Sequence, residues 1–438
     1  MVTYNEAIKY IESFIDYEKM IAPYDPFGWK LDRVERLLEP LGNPHLDLKV
    51  IHVAGTKGKG STSIMIASIL REAGFRVGLY TSPHLITFRE RISINDEMIS
   101  EDQVCEMVEL VKPHVEELRD KEDEIGKISF FDVYTSLAML FFKQQKVDFT
   151  VLEVGMGGRL DATNVVNPLV SVITQISYDH MLSLGNTLAA IAGEKAGIIK
   201  DNGYVVASPQ ELEAMKVIEE TCAAKNARLF KVGKDITYKK IGDNKFDVNG
   251  ILGNYHNLAV SLFGEHQRIN ATTAIGALQC LNFHGTNITE ESIRKGLANI
   301  KWHARVEVIQ RNPTIILDVA HNAASAKALR ESIESNFSYG RLILILGVSI
   351  HKDIKGMGKY LCPIADEIIL TRVTNPRAMK PDEMKVELSD FKKDFIITQD
   401  VRSALERAQM IAKPDDLICI TGSVYLAGEA MQILKGQQ

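Results

Sequence analysis

Cysteine is scarce: Cys105, Cys222, Cys280, Cys362 and Cys419 are the five in 438 residues, far apart and in unpatterned contexts. An odd, scattered set supports neither a disulfide framework nor a zinc site, and fits reduced thiols in a cytosolic protein. Long apolar runs are missing as well; none approaches the roughly 20 residues that a membrane crossing needs. Met1 to Met20 is mixed and acidic, without the basic-then-apolar pattern of a secretory signal. Nor is there an excess of positive charge. Lys and Arg number 51 against 57 Asp and Glu, a formal net charge of -6, which argues against broad binding to nucleic acid or anionic lipid. No Pro/Gly/Ser-rich linker, low-complexity tract, internal repeat or oligomer signature is visible. The expectation is a soluble, cytoplasmic protein, monomeric by default, with no nucleic-acid or membrane partner.

What is present is ordinary globular composition, 45% hydrophobic and 25% charged. A chain of this length exceeds what one core usually organises, so two domains are expected. Met1 to Leu41 reads as helical. Leu48 to Ala54 is then a short β-branched run, followed by a glycine-rich turn and a helical stretch from Ser61 to Ala73. Strands at 76–80, 149–154 and 169–174 alternate with helices near 101–119, 130–144 and 187–198, which implies a mainly parallel sheet covered on both faces. Segment 231–263 carries short alternating strands and turn signals, Asp243-Asn244 and Asn249-Gly250, and reads as a β-rich flap. Helices return at 267–281 and 289–299. After Trp302 a second alternation begins, with strands near 304–310, 314–318, 341–347, 367–371, 394–398 and 416–420. The predicted fold is α/β: an N-terminal P-loop-type parallel-sheet domain with a flap, residues 1–300, plus a smaller C-terminal Rossmann-like α/β domain, residues 301–438.

The strongest local signal is Gly55-Thr56-Lys57-Gly58-Lys59-Gly60-Ser61-Thr62, between a strand and a helix. Glycines let the backbone fold tightly, so that successive N–H groups point at phosphate oxygens. The helix N-terminus adds partial positive charge, Lys59 a full one, and a hydroxyl can bind the magnesium that bridges phosphates. Gly60, inserted between lysine and hydroxyl, departs from the ordinary phosphate-loop pattern. The competing view is a plain glycine-rich turn with an exposed lysine. A GTPase should also carry an Asn-Lys-x-Asp guanine motif, which is absent.

Three further groups end predicted elements. Glu153 closes a strand, where a carboxylate can bind magnesium or pair with a neighbour such as Arg159. His180 follows the next strand, within Ser177-Tyr178-Asp179-His180, and is either structural or a ligand. Lys195 ends an apolar helix, where lysine is ordinarily just a dipole partner.

These segments resemble the folylpolyglutamate synthase and dihydrofolate synthase family. GTKGKGST, SPHL with FRERI, LEVGMGGRLDATN, DHMLSLGNT and EKAGI occur in that family's order, as do HQRINA, ARVE, LDVAHN, HKD and TGSVYLAGE. GGRLDATN with EKAGI separates the chain from the related Mur ligases of cell-wall synthesis. The resemblance implies that Thr56, Lys57, Gly58, Lys59, Gly60, Ser61 and Thr62 hold the ATP phosphates, with Asn270, Arg305 and Asp318 as further ATP contacts. It implies two magnesium sites: Ser61, Ser82 and Glu153 at one, His180 and a carbamylated Lys195 at the other. Lys59, His180 and Lys195 would be catalytic. The pteridine side of the substrate would lie against Gly28 to Leu31, Ser129, Phe131, Asp132, Leu160, Asp161 and Ala162, and the amino acid against His321 and Ser423. Asp132 stands where the family usually has Glu, and Lys57 where many members have Asn.

The activity so implied is ATP-dependent ligation of L-glutamate to folate, to dihydropteroate or to both. A carboxylate is a poor electrophile, so phosphorylation by ATP gives an acyl phosphate that the amine of glutamate attacks. The alternative is a Mur-type ligase adding an amino acid to a cell-wall precursor.

Overall fold

The apolar run after Lys49 forms β1 (Val50–Ala54), all five residues of it buried. Such a run suits a parallel strand covered on both faces. β1 lies inside an eight-stranded sheet of order β4-β3-β2-β5-β1-β6-β7-β8. Its companions are β2 (Val77–Tyr80), β3 (Ile92–Ile94), β4 (Glu97–Met98), β5 (Phe149–Glu153), β6 (Val170–Ile173), β7 (Tyr204–Ala207) and β8 (Arg228–Lys231). From β2 to β8 every neighbouring pair is parallel, whereas β3 and β4 add an antiparallel edge. The fold is described for residues 2–16, 31–121, 126–242 and 245–436 of a computed structural model. The expected pteridine segment at Gly28 to Lys30 and the turn at Asp243-Asn244 lie outside these residues.

The chain divides into two compact units. Met1–Pro83, Phe88–Ser261 and Gln267–Ile300 form the first; His84–Thr87, Leu262–His266 and Lys301–Gln438 form the second. In the first, helices Glu101–Arg119 and Phe130–Gln144 share a core with Tyr80, Ile92 and Leu152. Helices Leu188–Ala196 and Leu212–Ala224 share another with Ile173, Val205 and Ala207. Helix Lys59–Glu72 is buried without interruption from Gly60 to Leu70, so its sequence shows no polar face. Helix Glu290–Ala298 lies against it, with Ser68 Oγ donating to Gly296 O at 2.8 Å.

The flap is a three-stranded antiparallel ribbon of β9 (Thr237–Lys240), β10 (Lys245–Asn249) and β11 (Asn254–Ala259), in the order β11-β10-β9. Phe246, Val248 and Leu258 are its buried residues. The expected helical stretch at the N-terminus is two helices among the described residues, Tyr4–Glu12 and Asp32–Leu38. Some elements had no counterpart in the sequence reading: the β3–β4 hairpin, β7 and helix Leu212–Ala224. The hairpin strands are only three and two residues long, too short for a periodic signal. Their turn, Asn95-Asp96, has φ of 49° and 70°, the left-handed pair that a two-residue hairpin loop requires.

The second unit holds a six-stranded sheet of order β12-β13-β17-β14-β15-β16. It is built from β12 (Glu307–Gln310), β13 (Thr314–Leu317), β14 (Leu342–Leu346), β15 (Glu367–Leu370), β16 (Phe395–Ile397) and β17 (Leu417–Thr421). Only the β12–β13 pairing is antiparallel. Helices cover two separate apolar clusters, one around Leu344 and Cys419 and one around Ile345 and Ile420. These residues alternate along β14 and β17, so the sheet is buried on both faces. Among the described residues no helix is long and apolar enough to cross a membrane.

Candidate active site

In open α/β sheets, ligands bind beyond the carboxyl ends of the strands, where neighbouring connections leave in opposite directions. In the first unit that place is β1, flanked by β5 and β6. The loop after β1 is the glycine-rich segment. Thr56 and Lys57 both donate their N–H groups to Gln175 O at 3.0 Å, and Thr56 Oγ1 donates to Ser177 O at 3.1 Å. The loop is thereby tied to the segment following β6. Gly58 caps helix Lys59–Glu72 with φ 83°, and no side chain caps the terminus. The first helical N–H groups are therefore left for a ligand, at the positive end of the helix dipole. Asn270, buried on helix Glu265–Cys280, brings its Oδ1 against Gly58, and its Nδ2 donates to Gln267 Oε1 at 3.0 Å. Burial lowers the pKa of Lys57, against the pull of Asp179. Ser61 is buried in the first turn, and Thr62 Oγ1 is buried with no hydrogen-bond partner among the described residues.

Glu153, at the end of β5, pairs in register with Val53 of β1 and accepts from Ser82 N at 3.3 Å. Arg159 does not neutralise it. That guanidinium donates to Glu194 Oε1 at 2.8 Å instead, so the pairing considered for Glu153 from sequence is corrected. Immediately after Glu153 the chain turns at Gly155, whose open side faces Asp161 Oδ2, Phe131 and Ser82 Oγ. Asp161 is buried; it accepts from the N–H groups of Gly155, Met156 and Thr163 and from Thr163 Oγ1. Burial pushes its carboxyl up, and these donors pull it back.

Lys195 lies buried near the end of helix Leu188–Ala196. Burial lowers its pKa to about 7, assisted by the charge of Lys59 and opposed by Asp179, Asp161 and Glu194. The structure thus gathers Lys59, Lys195, Asp161 and Asp179 into one electrostatic neighbourhood. His180 adopts φ 48° and ψ 38° at the start of the short helix Met181–Leu184, and its N–H is held by Asp179 Oδ1 at 3.0 Å. Left-handed backbone at a non-glycine residue is uncommon and often functional. Among the described residues no three His, Cys, Asp or Glu side chains converge as a metal centre. The oxygen donors of Ser61, Ser82 and Glu153 nevertheless suit magnesium, which keeps several of its own waters and takes few protein ligands.

Of the remaining expected substrate residues in this unit, Ser129, Phe131 and Asp132 stand at the start of helix Phe130–Gln144. Ser129 and Asp132 form its capping box: Asp132 N donates to Ser129 Oγ at 3.1 Å, and Ser129 N to Asp132 Oδ2 at 2.8 Å. Asp132 also faces Arg33 Nε at 3.2 Å. Phe131 is half-buried, with the Arg91 guanidinium 5.8 Å from its ring centroid. Leu31 precedes helix Asp32–Leu38, Leu160 is half-buried, and Ala162 is buried just after Asp161.

Within the second unit, Arg305 sits between Ala304 and Val306, both at φ 53°. A β-branched residue in that region is strained, and Asp318 Oδ2 accepts the Val306 N–H at 3.1 Å. Asp318 also accepts from Ala320 N at 2.7 Å; burial raises its pKa, and Arg305 opposes this. His321 Nδ1 meets Val319 O at 2.9 Å. Ser423 Oγ caps helix Val424–Lys435 by accepting from Leu426 N. Asp318, His321 and Ser423 all follow the carboxyl ends of β13 and β17.

Comparison with known proteins decides the family. The model of the Mur ligase middle domain matches residues 53–278, and that of the Mur ligase glutamate ligase domain matches residues 304–424. A Bacillus subtilis dihydrofolate synthase/folylpolyglutamate synthase is 36% identical, covering 93% of this chain and 96% of its own. The chain belongs to the folylpolyglutamate synthase/dihydrofolate synthase family. A Mycobacterium tuberculosis folylpolyglutamate synthase complexed with ADP matches with a TM-score of 0.91 at 30% identity, over 98% of each chain. An Escherichia coli member in complex with DHPP and ADP matches with a TM-score of 0.87 at 28% identity, over 99% of this chain and 98% of that one. Members of this folylpolyglutamate synthase family are ATP-dependent ligases on the Mur ligase fold.

His52, inside β1, and Thr163, just beyond Asp161, are not among the site residues expected from sequence, yet they are hydrogen-bonded to each other at 2.8 Å. Each is polar in a buried setting, which is the one signal that could have drawn attention to them.

Proposed function

We propose that this protein joins L-glutamate to a folate-type acceptor, to folate, to dihydropteroate or to both, at the expense of ATP. The observation that carries the proposal is the combination of a phosphate loop after β1, the carboxylate of Glu153 at the end of the neighbouring β5, and a buried amine, Lys195, within electrostatic reach of Lys59. A phosphate loop alone would suit many nucleotide proteins; the other two groups suit a reaction in which charge develops on a transferring phosphoryl group.

In this proposal the N–H groups at the start of helix Lys59–Glu72 and the Lys59 ammonium bind the ATP phosphates, with Asn270 walling the loop beside Gly58. Magnesium, when bound, would neutralise phosphate charge. Ser61, Ser82 and Glu153 would hold one such ion, and His180 with Lys195 a second. The low pKa of Lys195 supports its carbamylation, since carbon dioxide adds only to a neutral amine. One proton leaves the ammonium to free the amine and a second leaves as the carbamate forms, so a cation becomes an anionic oxygen ligand. The acceptor carboxylate, held near Gly155, Phe131 and Leu160, takes the terminal phosphoryl group. The glutamate amine then attacks the acyl phosphate, and phosphate leaves. Arg305 and Asp318 are assigned to the nucleotide, and His321 and Ser423 to the amino acid, on family resemblance, to which Asp318, His321 and Ser423 add their place at strand carboxyl ends of the second unit.

The test is direct. Purified protein is incubated with ATP, magnesium and glutamate, with dihydropteroate in one tube and tetrahydrofolate in another, while ADP and product mass are followed. A gain of one glutamyl residue in either tube establishes the ligase and assigns its acceptor. ADP release that ignores both acceptors, or no release at all, overturns the proposal.

A further inference from the structure

β1 reads Val50-Ile51-His52-Val53-Ala54, and its one polar side chain is completely buried. His52 Nε2 lies 2.8 Å from Thr163 Oγ1, and Thr163 Oγ1 lies 2.5 Å from Asp161 Oδ1. Asp161 Oδ1 also accepts from Thr163 N at 3.0 Å. On its other oxygen, Oδ2, Asp161 receives Gly155 N at 3.0 Å and Met156 N at 3.1 Å. His52 Nδ1 has no hydrogen-bond partner among the described residues.

The direction of this chain follows from its end. A carboxyl group that gathers three backbone N–H donors acts as an acceptor. The Thr163 hydroxyl therefore donates to Asp161, and its lone pair takes the Nε2–H of a neutral imidazole. Burial, with the charge of Lys200, keeps that imidazole neutral by lowering its pKa to about 3. With the proton on Nε2, Nδ1 is a bare acceptor in an apolar strand, which is unfavourable. Valine or isoleucine would avoid that penalty. What histidine adds is a hydrogen-bonded path from the middle of β1 to the turn after Glu153.

That turn borders the site. Gly155 opens towards Ser82 Oγ and Phe131, and Glu153 is two residues before it. We propose that His52 is a positioning residue for the acceptor substrate: acting through Thr163, it fixes the rotamer of Asp161 and with it the Gly155–Met156 backbone. This deepens the ligase assignment made above and rests on it.

Four full-length variants test it: His52→Gln, His52→Asn, Thr163→Val and the double variant His52→Asn/Thr163→Val. Glutamine can present an N–H near the place of Nε2, whereas the asparagine amide ends near Nδ1. Acceptor and ATP are varied separately in steady-state assays, and rates are expressed per folded molecule. His52→Asn and Thr163→Val should each lower kcat/KM for the acceptor about tenfold or more, as loosened positioning does. The KM for ATP should be unchanged, His52→Gln should recover most of the loss, and the double variant should be no worse than the poorer single, since both break one path. Wild-type kinetics in His52→Asn, equal losses in the Gln and Asn variants, or multiplying losses in the double variant would each overturn the inference. If the wild-type protein glutamylates neither acceptor, the ligase assignment falls separately. Amide hydrogen exchange at Gly155 and Met156 then still decides the coupling: faster in His52→Asn supports it, and unchanged overturns it.

Discussion

Asn270 Oδ1 occupies the space that a side chain on Gly58 would need. Gly58 also holds φ 83° at the start of helix Lys59–Glu72, a conformation in which glycine avoids the penalty of other residues. Two independent constraints thus require glycine at this point of the phosphate loop. Gly58→Ala should weaken binding of a non-hydrolysable ATP analogue about tenfold or more, because left-handed strain of about 1–2 kcal/mol converts to roughly that factor. Adding Asn270→Ala removes the collision but not the strain, so the double variant should regain thermal stability without regaining affinity. Calorimetric titration checks both, and wild-type affinity in Gly58→Ala would contradict the loop geometry.

Lys195 sets a pH dependence. With its pKa lowered to about 7 by burial and Lys59, the neutral amine that carbamylation needs accumulates as pH rises through neutrality. Activity in limiting bicarbonate should rise between about pH 6 and about pH 8, and added bicarbonate should help more at the lower value. Stability moves in the same direction. The unfolded chain, with lysine near about 10.4, binds more protons than the folded one from about pH 7 upwards, so stability in carbon-dioxide-free buffer rises across that window. Lys195→Met should abolish activity and flatten the stability profile above neutrality. A flat activity profile with no bicarbonate effect would remove Lys195 from the mechanism.

The alternation of strands and helices was legible because parallel strands are short, continuous apolar runs such as Leu342–Leu346. Glu153 was a candidate for a related reason, as a carboxylate closing such a run, whereas Asp318 entered through the family resemblance alone. Partner choice was not legible. Arg159 lies six residues from Glu153 yet pairs with Glu194, and Asp132 pairs with Arg33. Those pairings are set by how helices dock on the sheet, which no local pattern encodes. His52 was hidden differently. Within an apolar strand it looks like an interruption, and only the fold brings Thr163 to it.

Glu153 separates charge from hydrogen bonding. A glutamine there can still accept from Ser82 N, whose present distance to the carboxylate is 3.3 Å, but it lacks the negative charge that a hard cation prefers. Glu153→Gln should raise the magnesium concentration for half-maximal activity at least about tenfold, with little change in thermal midpoint. Magnesium titrations at saturating ATP give the answer. An unchanged requirement would place the metal elsewhere.

Asp132 is where the geometry and the family resemblance lead to different measurements. Its carboxylate caps helix Phe130–Gln144 and faces Arg33, with side chains only 7% and 4% exposed. Burial raises the pKa of Asp132, and Arg33 is the largest opposing influence. Asp132→Asn can keep the cap but removes a negative charge from beside the buried guanidinium, which destabilises a buried pair. The expected result is a strongly lowered thermal midpoint, while the KM for the acceptor, measured well below that midpoint, changes little. If Asp132→Asn instead keeps its midpoint and raises the acceptor KM, the carboxylate contacts substrate, and its pairing with Arg33 is secondary.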